Sequence, residues 1–367
     1  VSKDSQQGKK VSQRIIFTGG GTAGHVTPNI ALLEALAADN WQVSYVGSNK
    51  GIERQLITPL GVPYHGIATG KLRRYFAWQN FIDPLFILWG FIQSLVLCLR
   101  LRPNVVFSKG GFVAVPLVVA AWVCRVPVIS HESDITPGLA NRLAFPFSRW
   151  ICVNFPQTAA HLPVGKVVVT GSPVRASLRH GDAARGRAAL QLHASRPLLL
   201  VFGGSLGASV INRVVRQALP ALLETFEVVH VVGAGNLQAN LNGMPGYVQR
   251  EYIQAEFGDV LAAADLVLSR AGANSIYELL VTRTPHVLVP LSAAASRGDQ
   301  LVNARVFQQA GLSEVINEPD LTAETLLAQL GRVLAESPAI QARLETFEVL
   351  DSVAIITNLL RQAAAGR

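Results

Sequence analysis

Cysteine is scarce, with three residues in 367 (Cys98, Cys124 and Cys152) and no CxxC or Cys/His pair at metal-ligand spacing. A disulfide-stapled scaffold is excluded, and a reducing compartment is the expectation. Charged residues are also sparse, at 15%, and form no long run of one sign. Zinc-finger, RNP and helix-turn-helix patterns are absent, so nucleic acid is not an expected partner. No apolar run reaches the ~20 residues that span a bilayer. The nearest, 85–99, has 15 residues and contains Gln93 and Ser94. It reads as a buried or interfacial helix, and 113–124 is shorter still. Residues 1–13 are polar and read as a flexible tail rather than a secretion signal.

What the chain does have is apolar material, 50% of its residues. That is enough for two cores and rules out a disordered or fibrous chain. The net charge of +8 is uneven. Residues 1–175 hold 17 Lys/Arg against 7 Asp/Glu, a balance of +10, and the remainder hold 15 against 17, a balance of −2. A basic first half suits an anionic lipid surface or a phosphorylated substrate.

Short apolar runs alternate with helical stretches, the pattern of α/β units on parallel sheets. Strands are expected at 14–18, 42–46, 105–108 and 126–130, with a helix from about Pro28 to residue 38. The pattern restarts near 197, with strands at 197–202, 227–232, 265–269 and 286–290. A helix at 322–335 and a stretch at 340–365 close the chain. The boundary is expected within 163–178, around Pro163, Gly165, Gly171 and Pro173. Two tandem Rossmann-like domains follow, with strand ends facing a shared cleft.

Glycine loops sit at several strand ends. TGGGTAGH (18–25) satisfies GxGxxG and can bring backbone amides close to a pyrophosphate at a helix N-terminus. A dinucleotide site would also want an acid at the end of the second strand, and Glu53 comes too late for that. His25, at the helix start, is a candidate base kept neutral by the helix dipole. Lys109-Gly110-Gly111-Phe112 adds anion-binding capacity. Gly203-Gly204-Ser205-Leu206-Gly207 reads as a second anion loop, or as the GxSxG elbow of a hydrolase with Asp265 and His286 following in triad order. In 269–278, Glu278 can accept from ribose hydroxyls and Arg270 can face phosphate. Gln300 and Asn303 suit a neutral sugar.

Taken in order, TGGGTAGH (18–25), KGGF (109–112), HESDITPGLANR (131–142), GSPVR (171–175), GGSLGA (203–208), SRAGANSIYE (269–278) and DQLVNA (299–304) resemble the MurG family. Its members are the lipid-linked N-acetylglucosaminyltransferases of bacterial peptidoglycan assembly. The resemblance covers about residues 14–360. It implies the GT-B fold, α/β, with an acceptor- and membrane-facing domain over 14–172 and a UDP-sugar domain over 173–345. A C-terminal helix over 346–367 would pack back on the first domain. It also implies an inverting hexosyltransferase that moves N-acetylglucosamine from UDP-N-acetylglucosamine to the 4-hydroxyl of undecaprenyl-diphospho-N-acetylmuramoyl-pentapeptide. The cellular roles implied are cell-wall biogenesis, cell shape and division. A galactolipid synthase, a UDP-sugar epimerase and a Ser205 hydrolase are the alternatives.

By the same resemblance, the donor would meet Thr22, Ala23, Gly24, Asp134, Arg175, Ser205, Ile253, Ala273, Asn274, Ser275, Glu278 and Gln300. Ile253 would serve uracil, Glu278 ribose, Gln300 the sugar, and Arg175 with Ser205 the diphosphate. Gly20, Gly21, Gly110 and Gly111 would receive the acceptor diphosphate. His25 is the implied base, with Glu132 as second candidate. Two positions depart from the family pattern: Asp134 stands where many members have Asn, and Ala23 where Gly is common. No cofactor or metal is expected, because helix N-termini and arginines can carry the leaving group. The basic and aromatic mix at 70–78, ahead of the apolar 85–99 run, suits anionic lipid headgroups. A peripheral position on the cytoplasmic face of the inner membrane is therefore expected, with other cell-wall synthesis proteins as further partners.

Overall fold

The computed structural model describes residues 13–37, 39, 41–70, 79–192, 196–204, 207–293 and 296–366; at 79–82 only the backbone is described. Most of the polar tail, the segment 71–78 and Ser205 lie outside the described residues.

Two parallel sheets organise the chain. The first holds β1 (Gln13–Thr18), β2 (Trp41–Ser48), β3 (Tyr64–Ile67), β4 (Val105–Ser108), β5 (Val128–Glu132), β6 (Trp150–Val153) and β7 (Val167–Val169), in the order β3-β2-β1-β4-β5-β6-β7. The second holds β8 (Leu198–Phe202), β9 (Glu227–Val231), β10 (Tyr247–Arg250), β11 (Leu266–Ser269), β12 (His286–Leu288) and β13 (Glu314–Val315), in the order β10-β9-β8-β11-β12-β13. Helices cover both faces of each sheet, so the central strands are apolar along their whole length. Every residue of β4 and of β8 is buried.

Both sheets reverse direction at the same place, between β1 and β4 and between β8 and β11. A crevice opens at such a switch point, at the carboxyl ends of the strands. The four loops leaving these strands begin at Gly19, Lys109, Gly203 and Arg270, so three of the glycine motifs and the start of the fourth line up on the two crevices. Gly111 shows why glycine is needed there. It has φ 85°, and a Cβ would strike the Gly20 carbonyl oxygen.

Several strands escape sequence reading. β3, β6, β7, β10 and β13 are two to four residues long, too short to show a period. The 85–99 run belongs to a longer helix than its apolar core suggests, Gln79–Leu101, with Pro84 inside its first turns. By length and composition Asp83–Leu101 could cross a membrane. Here it packs against the helix Ala114–Val123, with Cys98 and Ser94 buried.

The two sheets are tied together. Ile135 and Phe155, which flank β5 and β6, are buried within the core of the second domain. Phe155 stands 4.8 Å from Phe307, ring edge to face, and 6.0 Å from Tyr277. In the reverse direction the last helix, Ser352–Ala365, returns to the first domain. Its Ile356, Leu360, Ala363 and Ala364 are buried with Ile15, Phe17 and Val105.

Candidate active site

A cleft of about 990 Å³ separates the carboxyl edges of the two sheets. Its walls include Gly20, Gly21, Thr22, Ala23, Gly24, His25, Gly111, Glu132 and Asp134 from the first domain. Arg175, Ile253, Ala273, Asn274, Ser275, Glu278 and Gln300 line it from the linker and second domain. Gly110 is absent from the lining. It is buried one residue behind Gly111, and its carbonyl accepts from the Gly20 amide at 3.3 Å. The helices Ala273–Thr282, Ser209–Thr225 and Leu139–Ala144 and the short turn Ala23–His25 all begin without a side-chain cap. Uncapped helix starts present amides and positive dipole ends to a ligand.

His25 ends the Ala23–His25 turn, just before the helix Thr27–Ala37. Its Nδ1 lies 3.0 Å from the Thr22 hydroxyl. Burial in the cleft is the main reason its pKa falls to about 4; the charges of Lys109 and Arg297 push the same way, against the Gly20 backbone and Glu53. The ring is therefore neutral at physiological pH, as a base must be. Burial and charged neighbours lower it in the same direction as the helix dipole that the sequence suggested.

Glu132 has a different environment. One carboxylate oxygen accepts from the Asp134 amide at 3.0 Å, and the other accepts from the Gly138 amide at 3.1 Å and Asn141 Nδ2 at 2.9 Å. Those bonds hold the 133–138 loop closed. Asp134 reaches across the cleft, accepting from Asn303 Nδ2 at 3.1 Å and facing Arg297 at 3.4 Å. Burial, then Glu132 and Asp299, raise its pKa to about 7, which Asn303 and Arg297 partly offset.

On the opposite wall two groups lack partners. The Arg175 Nε is buried without a hydrogen bond, and its guanidinium forms no ion pair among the described residues. The Glu278 carboxyl accepts no hydrogen bond among the described residues, and burial raises its pKa to about 7, with Arg175 opposing. A buried donor without a partner is costly, so a ligand that supplies the missing bond to Arg175 Nε is favoured, and the half-buried Glu278 carboxyl is open to the same ligand. An anion suits Arg175 and a diol suits Glu278.

Two expectations are corrected. Arg270 does not face the cleft: it is buried, 2.5 Å from Glu318, and donates to the Val289 carbonyl. Asn303 is occupied as well, since its Oδ1 accepts from the Ile135 amide at 3.2 Å while its Nδ2 serves Asp134. The hydrolase triad also fails. Asp265 accepts from the Leu198 amide at the start of β8, whereas the glycine loop leaves the far end of that strand. His286 is buried, with its two nitrogens at Thr284 and Ser313.

Three groups take roles that the sequence did not assign to them. Glu53, fully buried, accepts from the Ser48 amide at 2.8 Å and the Gly21 amide at 3.2 Å. It therefore braces the first glycine loop from beneath. Lys109, 1% exposed, donates to His131 Nδ1 at 2.8 Å and to the Ser133 hydroxyl. Arg297 carries positive charge to the cleft beside Asp134 and Asp299. Each role depends on a partner distant in sequence, so no local motif announces it.

Comparison with known proteins gives the family of the chain. Residues 15–152 match the glycosyltransferase family 28 N-terminal domain and residues 198–354 its C-terminal domain. A protein of Geobacillus thermodenitrificans is 47% identical over 353 residues, covering 96% of this chain and 99% of that protein. One of Lachnoclostridium phytofermentans is 50% identical over 350 residues, covering 95% and 99%. Both are named UDP-N-acetylglucosamine–N-acetylmuramyl-(pentapeptide) pyrophosphoryl-undecaprenol N-acetylglucosamine transferase. The crystal structure of Acinetobacter baumannii MurG superposes with a TM-score of 0.71 at 24% identity, covering 95% of this chain and 99% of that one, which supports the two-sheet fold.

Proposed function

The chain belongs to glycosyltransferase family 28, and on that premise we propose that it transfers N-acetylglucosamine from UDP-N-acetylglucosamine to undecaprenyl-diphospho-N-acetylmuramoyl-pentapeptide in peptidoglycan synthesis. It is a hexosyltransferase. The observation that carries the site assignment is the pairing of an unpartnered Arg175 Nε and an unpartnered Glu278 carboxyl on one wall, among the described residues, with a neutral His25 on the other. The donor's charge and ribose diol meet the first two, and the acceptor hydroxyl meets the third.

The reaction is a single in-line displacement. The acceptor 4-hydroxyl oxygen bonds to the anomeric carbon as the bond from that carbon to the β-phosphate oxygen breaks. The bonding electrons leave with UDP, and the hydroxyl proton passes to His25. The Thr22 hydroxyl at Nδ1 and the Gly20 backbone orient the ring, which takes that proton on the nitrogen that carries no hydrogen. The charge that grows on the leaving diphosphate is met by Arg175 and the uncapped start of Ala273–Thr282. These groups need no metal for this task, so EDTA is expected to leave the rate within about twofold. Glu132 braces the acceptor-side loop.

The acceptor's lipid points to a membrane surface. The helix Gln79–Leu101 turns Leu85, Phe86, Leu88, Trp89, Ile92, Val96 and Leu99 outward, each at least 40% exposed. Their spacing places them on the helix face away from the core. At ~1 kcal/mol per side chain partly buried in lipid, the stripe supports reversible docking on the cytoplasmic face, beside anionic headgroups.

Transfer of labelled sugar from UDP-N-acetylglucosamine to the lipid-diphosphate acceptor, read by mass spectrometry, tests the reading. Consumption of the donor without acceptor, with release of N-acetylmannosamine, would replace it with an epimerase.

A further inference from the structure

One side chain joins the two walls of the cleft in both directions. Asn274 is the second residue of the helix Ala273–Thr282. Its Nδ2 donates to the Gly24 carbonyl of the first domain at 2.7 Å. Its Oδ1 accepts from the Ser133 hydroxyl at 3.1 Å and from the Ser172 hydroxyl, in the linker, at 2.9 Å. Gly24 directly precedes His25, and a Cβ at Gly24 would lie 3.3 Å from Asn274 Nδ2, so the contact is close.

The direction of this chain of bonds is fixed by chemistry. An ammonium can only donate, so the Lys109 Nζ places the Ser133 oxygen as its acceptor. Ser133 then turns its own proton toward Asn274 Oδ1. With its oxygen held by two hydroxyls, the Asn274 amide nitrogen must face Gly24, whose carbonyl can only accept. Lys109 is itself anchored through His131, whose Nε2 meets the Gly171 carbonyl at 3.0 Å. The network thus runs from the floor of the first sheet through the linker to the helix that lies against the donor.

We propose that Asn274 is a positioning residue that holds the Gly24–His25 turn in register with the helix start facing the donor, setting the distance between base and anomeric carbon. The proposal rests on the transferase reading above. A base and a donor carried on separate domains need such a tie, because a displacement near 1 Å can cost about 10²-fold in rate.

The test compares wild type, Asn274→Leu, and the double variant Ser133→Ala/Ser172→Ala. Each is assayed for kcat and for the donor KM with the lipid acceptor, and for UDP affinity by calorimetry. Leucine keeps the volume and removes all three bonds. The expected result is a kcat about 10²-fold lower for Asn274→Leu and about 10-fold lower for the double variant. The donor KM and UDP affinity should stay within about threefold. The double variant keeps the test decisive if Asn274→Leu does not fold. An unchanged kcat, or a loss carried in donor KM and UDP affinity with kcat intact, overturns the proposal and makes Asn274 an ordinary donor contact. Absence of transfer by wild type would instead remove the transferase reading itself.

Discussion

The two domains share one topology and use it for different ends. Each places glycine loops at the switch point of a parallel sheet. In the first domain two loop amides are already engaged, Gly20 with Gly110 and Gly21 with Glu53. Those two bonds brace the loop that presents His25. In the second domain and its linker, Arg175 Nε and the Glu278 carboxyl are left without partners among the described residues of the cleft. The outer surfaces differ as well. Among the described residues, the exposed large hydrophobic side chains of the second domain are Leu237 and Tyr252, while the first exposes the stripe on Gln79–Leu101 together with Leu60, Trp122, Val123, Leu139, Leu143 and Val164. Sheet order fixes where a ligand lies, and side chains decide whether that ligand is a nucleotide or a lipid-linked sugar.

Removing the base should break this division most severely. His25→Ala is expected to lower kcat by about 10³-fold while leaving UDP affinity within about twofold, since the groups proposed for UDP, Arg175 and Glu278, stand on the other wall. Equal losses in UDP affinity would show that the walls are not separable. The pH profile sharpens the point. In the proposed mechanism neutral His25 is the active form, and with its pKa lowered to about 4 kcat should lose this group only below about pH 5, not near 6.5.

Charge on the other wall comes next. Arg175→Ala should lower kcat by about 10²-fold and weaken UDP binding, both visible in steady-state kinetics and calorimetry. Glu278→Ala should raise the donor KM about 10-fold with little change in kcat; an unchanged KM would move the ribose contact elsewhere.

Outside the cleft, Leu85→Glu/Trp89→Glu is expected to reduce sedimentation with anionic vesicles about 10-fold and to spare turnover of a short-chain soluble acceptor. Loss of both activities together would make the stripe part of the core instead of a docking face.

The smallest effect is expected at Asp134. Its raised pKa means that it ionises near pH 7, and on the proposed donor placement the anion would then repel the diphosphate. An asparagine side chain at this position would lack that charge. The ratio of donor affinity, Asp134→Asn over wild type, should therefore grow about two- to threefold as pH rises from 6 to 8. A ratio flat with pH would show that Arg297 already neutralises the carboxylate.

Much of this could be read in the chain. Central strands such as β4 and β8 are uniformly apolar because both faces are covered, and the glycine loops follow them directly. His25 and Glu278 lie in motifs that follow central strands, so their place at the cleft follows from short-range geometry, whereas Arg175 is brought there by the linker. The short strands β7 and β13 carried no such signal, because neighbouring strands rather than their own sequences hold them in place.

The sequence by itself determined two nucleotide-binding-type sheets, the loops at their switch points and the family, because backbone freedom at glycine and apolar continuity in strands act over a few residues. Tertiary structure alone decided which polar groups remain available. Arg270 met Glu318, Asn303 met Asp134 and Glu53 met Gly21, while Arg175 Nε and the Glu278 carboxyl met no hydrogen-bond partner among the described residues. Those partners come from separate elements, and only packing, which removes water from each group and forces it to find a bond, could sort the occupied from the free.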